Sequence, residues 1–305
     1  MLLSNRFVLL NKNDVNKFPG SNHRVVESAL RLLRSRGVDV QTTVQEGYEG
    51  AAIINDYINR LGSNQRQKND TLQSLLTDAQ KNLLHIGELE WIQKDERACY
   101  WLFYCILFHL DDWLLNKPYG FCPVKEMNLH FSPSNSQGRF QQIVNFFDRC
   151  GSDLEWQRSL LAKMQNNWSA IYTARKPLRW LDRNNESQCK WAWDYLYNTR
   201  WQKNTPSIAG LNPTGCRETY LAIYAAFDSW VTEPEFKRLF LNDFNRAWQQ
   251  KKHRDNRQGK KACNLVLREE VKQKLDAMAA ARGMKLNQLV ETLIENEHAK
   301  TIQLK

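Results

Sequence analysis

Between Lys260 and Lys300 two hydrophobic periods follow one another with hardly a residue to spare. Cys263, Leu265 and Leu267 alternate with Ala262, Asn264 and Val266, the period-2 pattern of a short strand. Val271, Leu275, Met278 and Ala279 then recur at helical spacing up to Arg282, and Gly283 stops that helix, as a residue tolerant of positive φ does. A second helix follows, with Leu286, Leu289, Val290, Leu293 and Ile294 on one face. One strand and two helices in about forty residues cannot bury their own apolar faces. The economical solution is a homodimer in which two strands pair as an antiparallel ribbon over residues 262–267 and four helices form the core. An ordinary helical hairpin at the C-terminus is the alternative.

The charge in front of this stretch bears on its partner. Net charge is +10 over 305 residues, unevenly spread. From Arg246 to Lys261 seven cations (Arg246, Lys251, Lys252, Arg254, Arg257, Lys260 and Lys261) face one acid, Asp255. Such a run fits phosphate contacts on double-stranded DNA, and is otherwise a solvated basic face. The order strand, helix, Gly, helix resembles the ribbon-helix-helix fold, whose ribbon reads the DNA major groove. The fold class expected is therefore all-α, mostly helical bundles, with a C-terminal ribbon-helix-helix module contributing one short strand.

The chain has room for about two domains. Seven cysteines, at 99, 105, 122, 150, 189, 216 and 263, show no CxxC spacing, which suggests reduced thiols in a cytosol and no zinc site. No signal peptide is read at the start, and the most apolar run, Ala98 to Leu110, is too short to span a bilayer. The expectation is a cytoplasmic protein with no membrane contact.

Four regions are expected. Residues 1–90 form a helical region of unknown role. Phe7 to Leu10 is a candidate strand, helices fall near 22–36, 49–61 and 71–86, and the polar stretch Gly62 to Asp70 reads as a linker with Asp70 as a cap. Residues 91–180 form a helical bundle. Its first helix carries Trp91, Tyr100, Trp101, Phe103, Tyr104, Phe108 and Trp113 on several sides, the pattern of a buried core helix more than of a base-stacking platform. His109, Asp111 and Asp112 point in different directions on such a helix, so no metal site is expected. Residues 116–138 read as a loop, with helices near 138–149 and 153–175 after it.

Residues 184–254 form a second bundle, which resembles the first. At a constant offset of 80, Ile143, Phe147, Asp148, Glu155, Arg158, Leu161 and Trp168 match Ile223, Phe227, Asp228, Glu235, Arg238, Leu241 and Trp248. Cys99-x-Trp101 matches Cys189-x-Trp191 at an offset of 90. A duplicated bundle is the natural reading. Thr232 is a candidate cap for the last bundle helix, with Pro234 in its first turn. That helix would turn Phe236, Phe240, Phe244 and Trp248 inward. Asn242, Asn245, Arg246 and Gln249 fall on other faces, where they would reach base edges or only water. Residues 255–305 complete the chain as the DNA-binding and dimerisation module.

Residues 186–299 resemble the MatP family of chromosome-organising proteins. The resemblance is carried by Lys190-Trp191-x-Trp193, Trp230-Val231 with Pro234-Glu235, the basic segment through Lys251-Lys252-His253-Arg254, Lys260-Lys261, and Leu265-x-Leu267 through Arg282-Gly283 and Leu286. It implies a helical bundle fused to a ribbon-helix-helix, dimeric, on a short palindromic DNA site, in a cytoplasmic, nucleoid-associated bacterial protein. By position, the ribbon would offer Ala262, Asn264 and Val266 to the bases, and the bundle helix Asn242, Asn245, Arg246 and Gln249. Lys285 stands where the family caps its second ribbon helix, a poor cap whose charge would meet a phosphate. The family's reading helix is richer in Arg than residues 241–250 here. Its C-terminal coiled coil has no counterpart before Lys305, so bridging of distant sites is not expected.

These features together lead to the expectation of sequence-specific DNA binding without catalysis, without metal and without cofactor. Repression of a local operon competes with chromosome organisation. A nucleic-acid enzyme with its active site in the N-terminal half is the rival of another class, although no paired carboxylates, Gly-rich phosphate loop or HxH cluster supports it. The N-terminal half would otherwise recruit a protein partner.

Overall fold

The computed structural model describes residues 17–41, 46–62, 64–81, 83–109, 125, 127–150, 153–173, 178–256 and 263–303. The candidate strand at Phe7 to Leu10, the pair Asp111 and Asp112, and Arg257, Lys260, Lys261 and Ala262 lie outside them. The fold is mostly helical. It divides into two compact units, one up to Trp248 and one from Gln249.

The first unit is built from three successive groups of helices. The first group is α1 (His23–Ser35), α2 (Gly47–Arg60) and α3 (Gln65–Lys81), closed on Val26, Leu30, Leu33, Ile54, Leu72 and Leu75. The segment 62–70 is not a linker: α3 already begins at Gln65, because the Asn64 side chain accepts from the backbone N–H groups of Arg66 and Gln67 and starts the helix six residues before Asp70.

A short 3₁₀ turn at Ile86–Leu89 leads into the second group: α4 (Glu90–Lys94), α5 (Glu96–Phe108), α6 (Ser136–Arg149) and α7 (Leu154–Thr173). Helix α5 is apolar on every side, and residues 98–106 are all buried. Such a helix must sit at the centre of a bundle. It packs against α4 and α6 of its own group and against α9 of the next.

The third group is α8 (Glu186–Thr199), α9 (Cys216–Ser229) and α10 (Pro234–Asn256). Helix α10 starts at Pro234, the favoured first-turn position for a residue with no N–H to give. The carbonyl of Glu233, not of Thr232, accepts the first helical bond, from Lys237. Phe240 and Phe244 point into the core as the period requires, but Phe236, in the first turn, is 43% exposed.

Equivalent helices start at regular intervals. Helices α6 and α9 begin at Ser136 and Cys216, α7 and α10 at Leu154 and Pro234, and α5 and α8 at Glu96 and Glu186. The leading helices share a cap: the side chains of Asn22, Asp95 and Asn185 accept from the first-turn N–H groups of α1, α5 and α8. Two residues beyond the cap stand Arg24, Arg97 and Ser187. Arg24 grips Asp148 of the second group with Nε and Nη2, both at 2.7 Å. Arg97 grips Asp228 of the third group in the same way, at 2.6 and 2.7 Å. Asp148 and Asp228 are the thirteenth residues of α6 and α9.

The second unit begins in the last turns of α10. Residues 263–268 form no regular element, and α11 (Glu269–Arg282) and α12 (Leu286–Gln303) follow as a packed pair. Over its described part, residues 263–267, the expected strand is not seen in the single chain: a strand is a pairing, and these residues form no strand pairing. Gly283 takes φ +61° and ends α11 in a left-handed cap, its N–H reaching the carbonyls of Ala279 and Ala280.

Candidate nucleic-acid interface

The residues expected to meet DNA fall in the two units and are described for each in turn. In the first, Asn242 and Arg246 are exposed along α10. Asn245 is half-buried and engaged: its Oδ1 accepts the indole N–H of Trp180 at 2.7 Å. That indole stacks on Trp248 at 4.7 Å and 14°, and meets Trp191 and Phe244 edge-on. Asn245 therefore holds a ring cluster together, and only its amide N–H₂ remains for another partner. The signal missed by the sequence reading was Trp180, which lies outside the helical periods that placed the other rings.

In the second unit, Gln249, Lys252 and Arg254 are exposed. Lys252 and Arg254 form no ion pair among the described residues, while Lys251 bonds Asp255 one turn on. Of the described cations of the basic run, Lys251 is thus already engaged by an acid. Asn264 is exposed and Val266 fully so, at 100%. Lys285 occupies the N-cap position of α12 with its side chain exposed. The cap itself comes from Gln288, whose side chain reaches back to accept the Lys285 backbone N–H at 3.2 Å. This is half of a capping box and frees the ammonium group.

The apolar residues of the second unit remain largely in solvent. Ala279 and Leu289 are buried, whereas Leu265 is 57% and Ile294 62% exposed, and Leu267, Val271 and Leu286 are exposed as well. The acids of this unit lie on the helices: Asp255 on α10, Glu269, Glu270 and Asp276 on α11, and Glu291, Glu295 and Glu297 on α12. Residues 263–268 carry no acid and present Arg268 beside Leu267.

Comparison of the chain with protein-family models, with curated proteins and with solved structures gives no match. Among the described residues no three His, Cys, Asp or Glu side chains stand together as a metal-binding group. No described helix is long and apolar enough to cross a membrane.

Proposed function

We propose that the chain is a dimeric, sequence-specific binder of double-stranded DNA, in which the second unit supplies both the dimer contact and the groove reader. The observation that carries this reading is the row of exposed apolar residues from Leu265 to Ile294 beside exposed cations. An apolar surface of this kind on so small a unit calls for a partner, and a second copy offers the same unpaired edge. Pairing residues 262–267 across a two-fold axis would satisfy the backbone N–H and C=O groups of both copies. Leu265 and Leu267 would then face the four-helix core, and Ala262, Asn264 and Val266 the groove.

The role of the cations follows from their type. Lys252, Arg254, Arg257, Lys260 and Lys261 would hold phosphates and set the register, and Lys285 at the start of α12 would add one more. Base readout by the ribbon rests on Asn264, since Ala262 and Val266 offer apolar contact alone. Arg246, Asn242 and Gln249 of α10 are the remaining candidates for base edges. The resemblance of residues 186–299 to MatP supports the same assignment, with chromosome organisation as the wider role.

The test is selection of bound sequences from a pool of random duplexes with the whole chain. A recovered palindrome supports the dimeric ribbon reader. No retention at low salt overturns it.

A further inference from the structure

Two cysteines meet in the third group of helices. Cys189 is the fourth residue of α8 and Cys216 the first of α9, and the two helices pack on each other. Both are free thiols. They donate to consecutive carbonyls of the segment ahead of α8: Cys189 Sγ reaches the Asp182 carbonyl at 3.3 Å, and Cys216 Sγ the Arg183 carbonyl at 3.1 Å. Neighbouring carbonyls thus bring the two sulfurs side by side, within hydrogen-bonding reach of one another. Burial, and after it the adjoining Cys216 thiol, push the Cys189 thiol up to about 12.

Access separates the two. Cys189 is 1% exposed, whereas Cys216 is partly open to solvent. Elsewhere Cys99, Cys105 and Cys150 are buried, and Cys263 stands exposed in the second unit. A thiol is oxidised where a reagent can reach it, and the product is captured by a second thiol at its side. Cys216 meets the first condition and Cys189 the second.

We propose that Cys216 and Cys189 form a reversible redox site, closing to a disulfide between α8 and α9 on exposure to hydrogen peroxide. The Cys216 sulfur, as thiolate, attacks one peroxide oxygen. The O–O bond breaks, hydroxide leaves and takes up the thiol proton as water, and Cys216 becomes a sulfenic acid. The Cys189 sulfur then displaces the sulfenic hydroxyl, which departs with the Cys189 proton as a second water. Two thiols and one peroxide thus give one disulfide and two waters; the sulfurs lose two electrons and the peroxide oxygens gain them. A dithiol reverses the step by exchange and is itself oxidised to a disulfide. Closing the S–S bond removes both S–H donors, so the carbonyls of Asp182 and Arg183 lose these contacts with α8 and α9. Nothing in this site depends on the DNA-binding reading.

The experiment treats the folded full chain with hydrogen peroxide, blocks the remaining thiols with N-ethylmaleimide in denaturant, and maps tryptic peptides by mass without reduction. Cleavage after Arg183, Lys190, Lys203 and Arg217 leaves Cys189 alone in 184–190 and Cys216 alone in 204–217. The two peptides should appear joined, at a mass about 2 Da below their sum, and should separate again after dithiothreitol. This reading needs no variant. Cys216 is partly exposed, so Cys216→Ser should fold, and in it Cys189 should keep its thiol at the same peroxide dose, shielded from the oxidant by its burial. Three results overturn the proposal: Cys189 recovered as its maleimide adduct at a dose that oxidises the exposed Cys263, Cys216 joined to a cysteine other than Cys189, or Cys189 oxidised in Cys216→Ser as readily as in the wild-type chain.

Discussion

The guanidinium of Arg97 meets both carboxylate oxygens of Asp228 across 131 positions of sequence, and the contact is nearly dry: the side chains are 11% and 4% exposed. Arg97 also lies over the rings of Tyr224, at 4.6 Å, and Trp168, at 5.5 Å. Burial pushes the Asp228 carboxyl up while the two bonds from Arg97 hold it down. Removing one partner strands the other in the core. Asp228→Ala is expected to cost about 3 kcal/mol or more, as buried pairs do when halved. Asp148→Ala, which strands Arg24, should cost a similar amount. Denaturant unfolding of the two single variants and the double measures both, and near-additivity is expected for clasps with no shared partner.

Acid should weaken one contact at the surface of the second group. Hydrogen bonds from Arg158 hold the Glu88 carboxyl below its ordinary value of 4.5. A carboxylate with a depressed folded pKa stabilises above its unfolded pKa and loses that contribution as pH falls through the folded one. Glu88→Gln keeps an acceptor for the His85 backbone N–H but not the charge. The difference in stability between the wild-type chain and this variant should be present near neutral pH and fade as the pH drops below the ordinary carboxyl value of 4.5. Thermal melts of both at matched pH values check it.

Asn245 and its neighbours on α10 should separate stability from DNA binding. Asn245→Ala leaves the Trp180 indole N–H without its acceptor and should cost about 1 kcal/mol. Asn242→Ala and Arg246→Ala alter exposed positions and should stay within about 0.5 kcal/mol. On a selected DNA site, Arg246→Ala should reduce the salt slope by about one if Arg246 holds a phosphate, and relax one base position if it reads an edge. Fluorescence anisotropy at several salt concentrations distinguishes the two.

The dimer should be sensitive to which side of the ribbon is altered. Leu265→Glu places a charge where the four-helix core would close and should raise the dimer dissociation constant at least about a hundredfold. Val266→Ser, on the opposite side, should leave it within a few-fold. Sedimentation velocity on a dilution series reads both. A wild-type chain that stays monomeric at tens of micromolar contradicts the expectation, since obligate dimers of this kind assemble well below that concentration.

The helices were legible wherever an apolar period ran against a capping residue. The run from Ala98 to Ile106 is buried as its all-round apolar pattern requires, and Gly283 ends α11 where the pattern stops. The start of α3 was missed because its first two turns are polar throughout, and the cap is one Asn among many polar residues. The pairing of Arg97 with Asp228, and of Arg24 with Asp148, was not legible, since no local pattern links residues more than a hundred positions apart. Asn245 was read as a base-reading candidate because exposure along a helix follows the period, whereas its bond to Trp180 depends on a loop. Arg139 was passed over for the converse reason: an arginine in an amphipathic helix reads as surface, and its burial is decided by Tyr100 and Glu218 from other helices.

The clasp that recurs between the helical groups is missing at both ends of the series. Ser187 stands on α8 where Arg24 and Arg97 stand on α1 and α5, and Asn59 stands on α2 where α6 and α9 carry Asp148 and Asp228. The flanking positions Glu49, Asp56 and Arg60 on α2, and Lys190, Asp194 and Asn198 on α8, are exposed. Among the described residues, each outermost group thus carries polar side chains where the clasp would stand, as terminal repeats of stacked arrays do. A further copy would find no charged clasp to extend at either position, so the contact that joins one helical group to the next is used up within three of them.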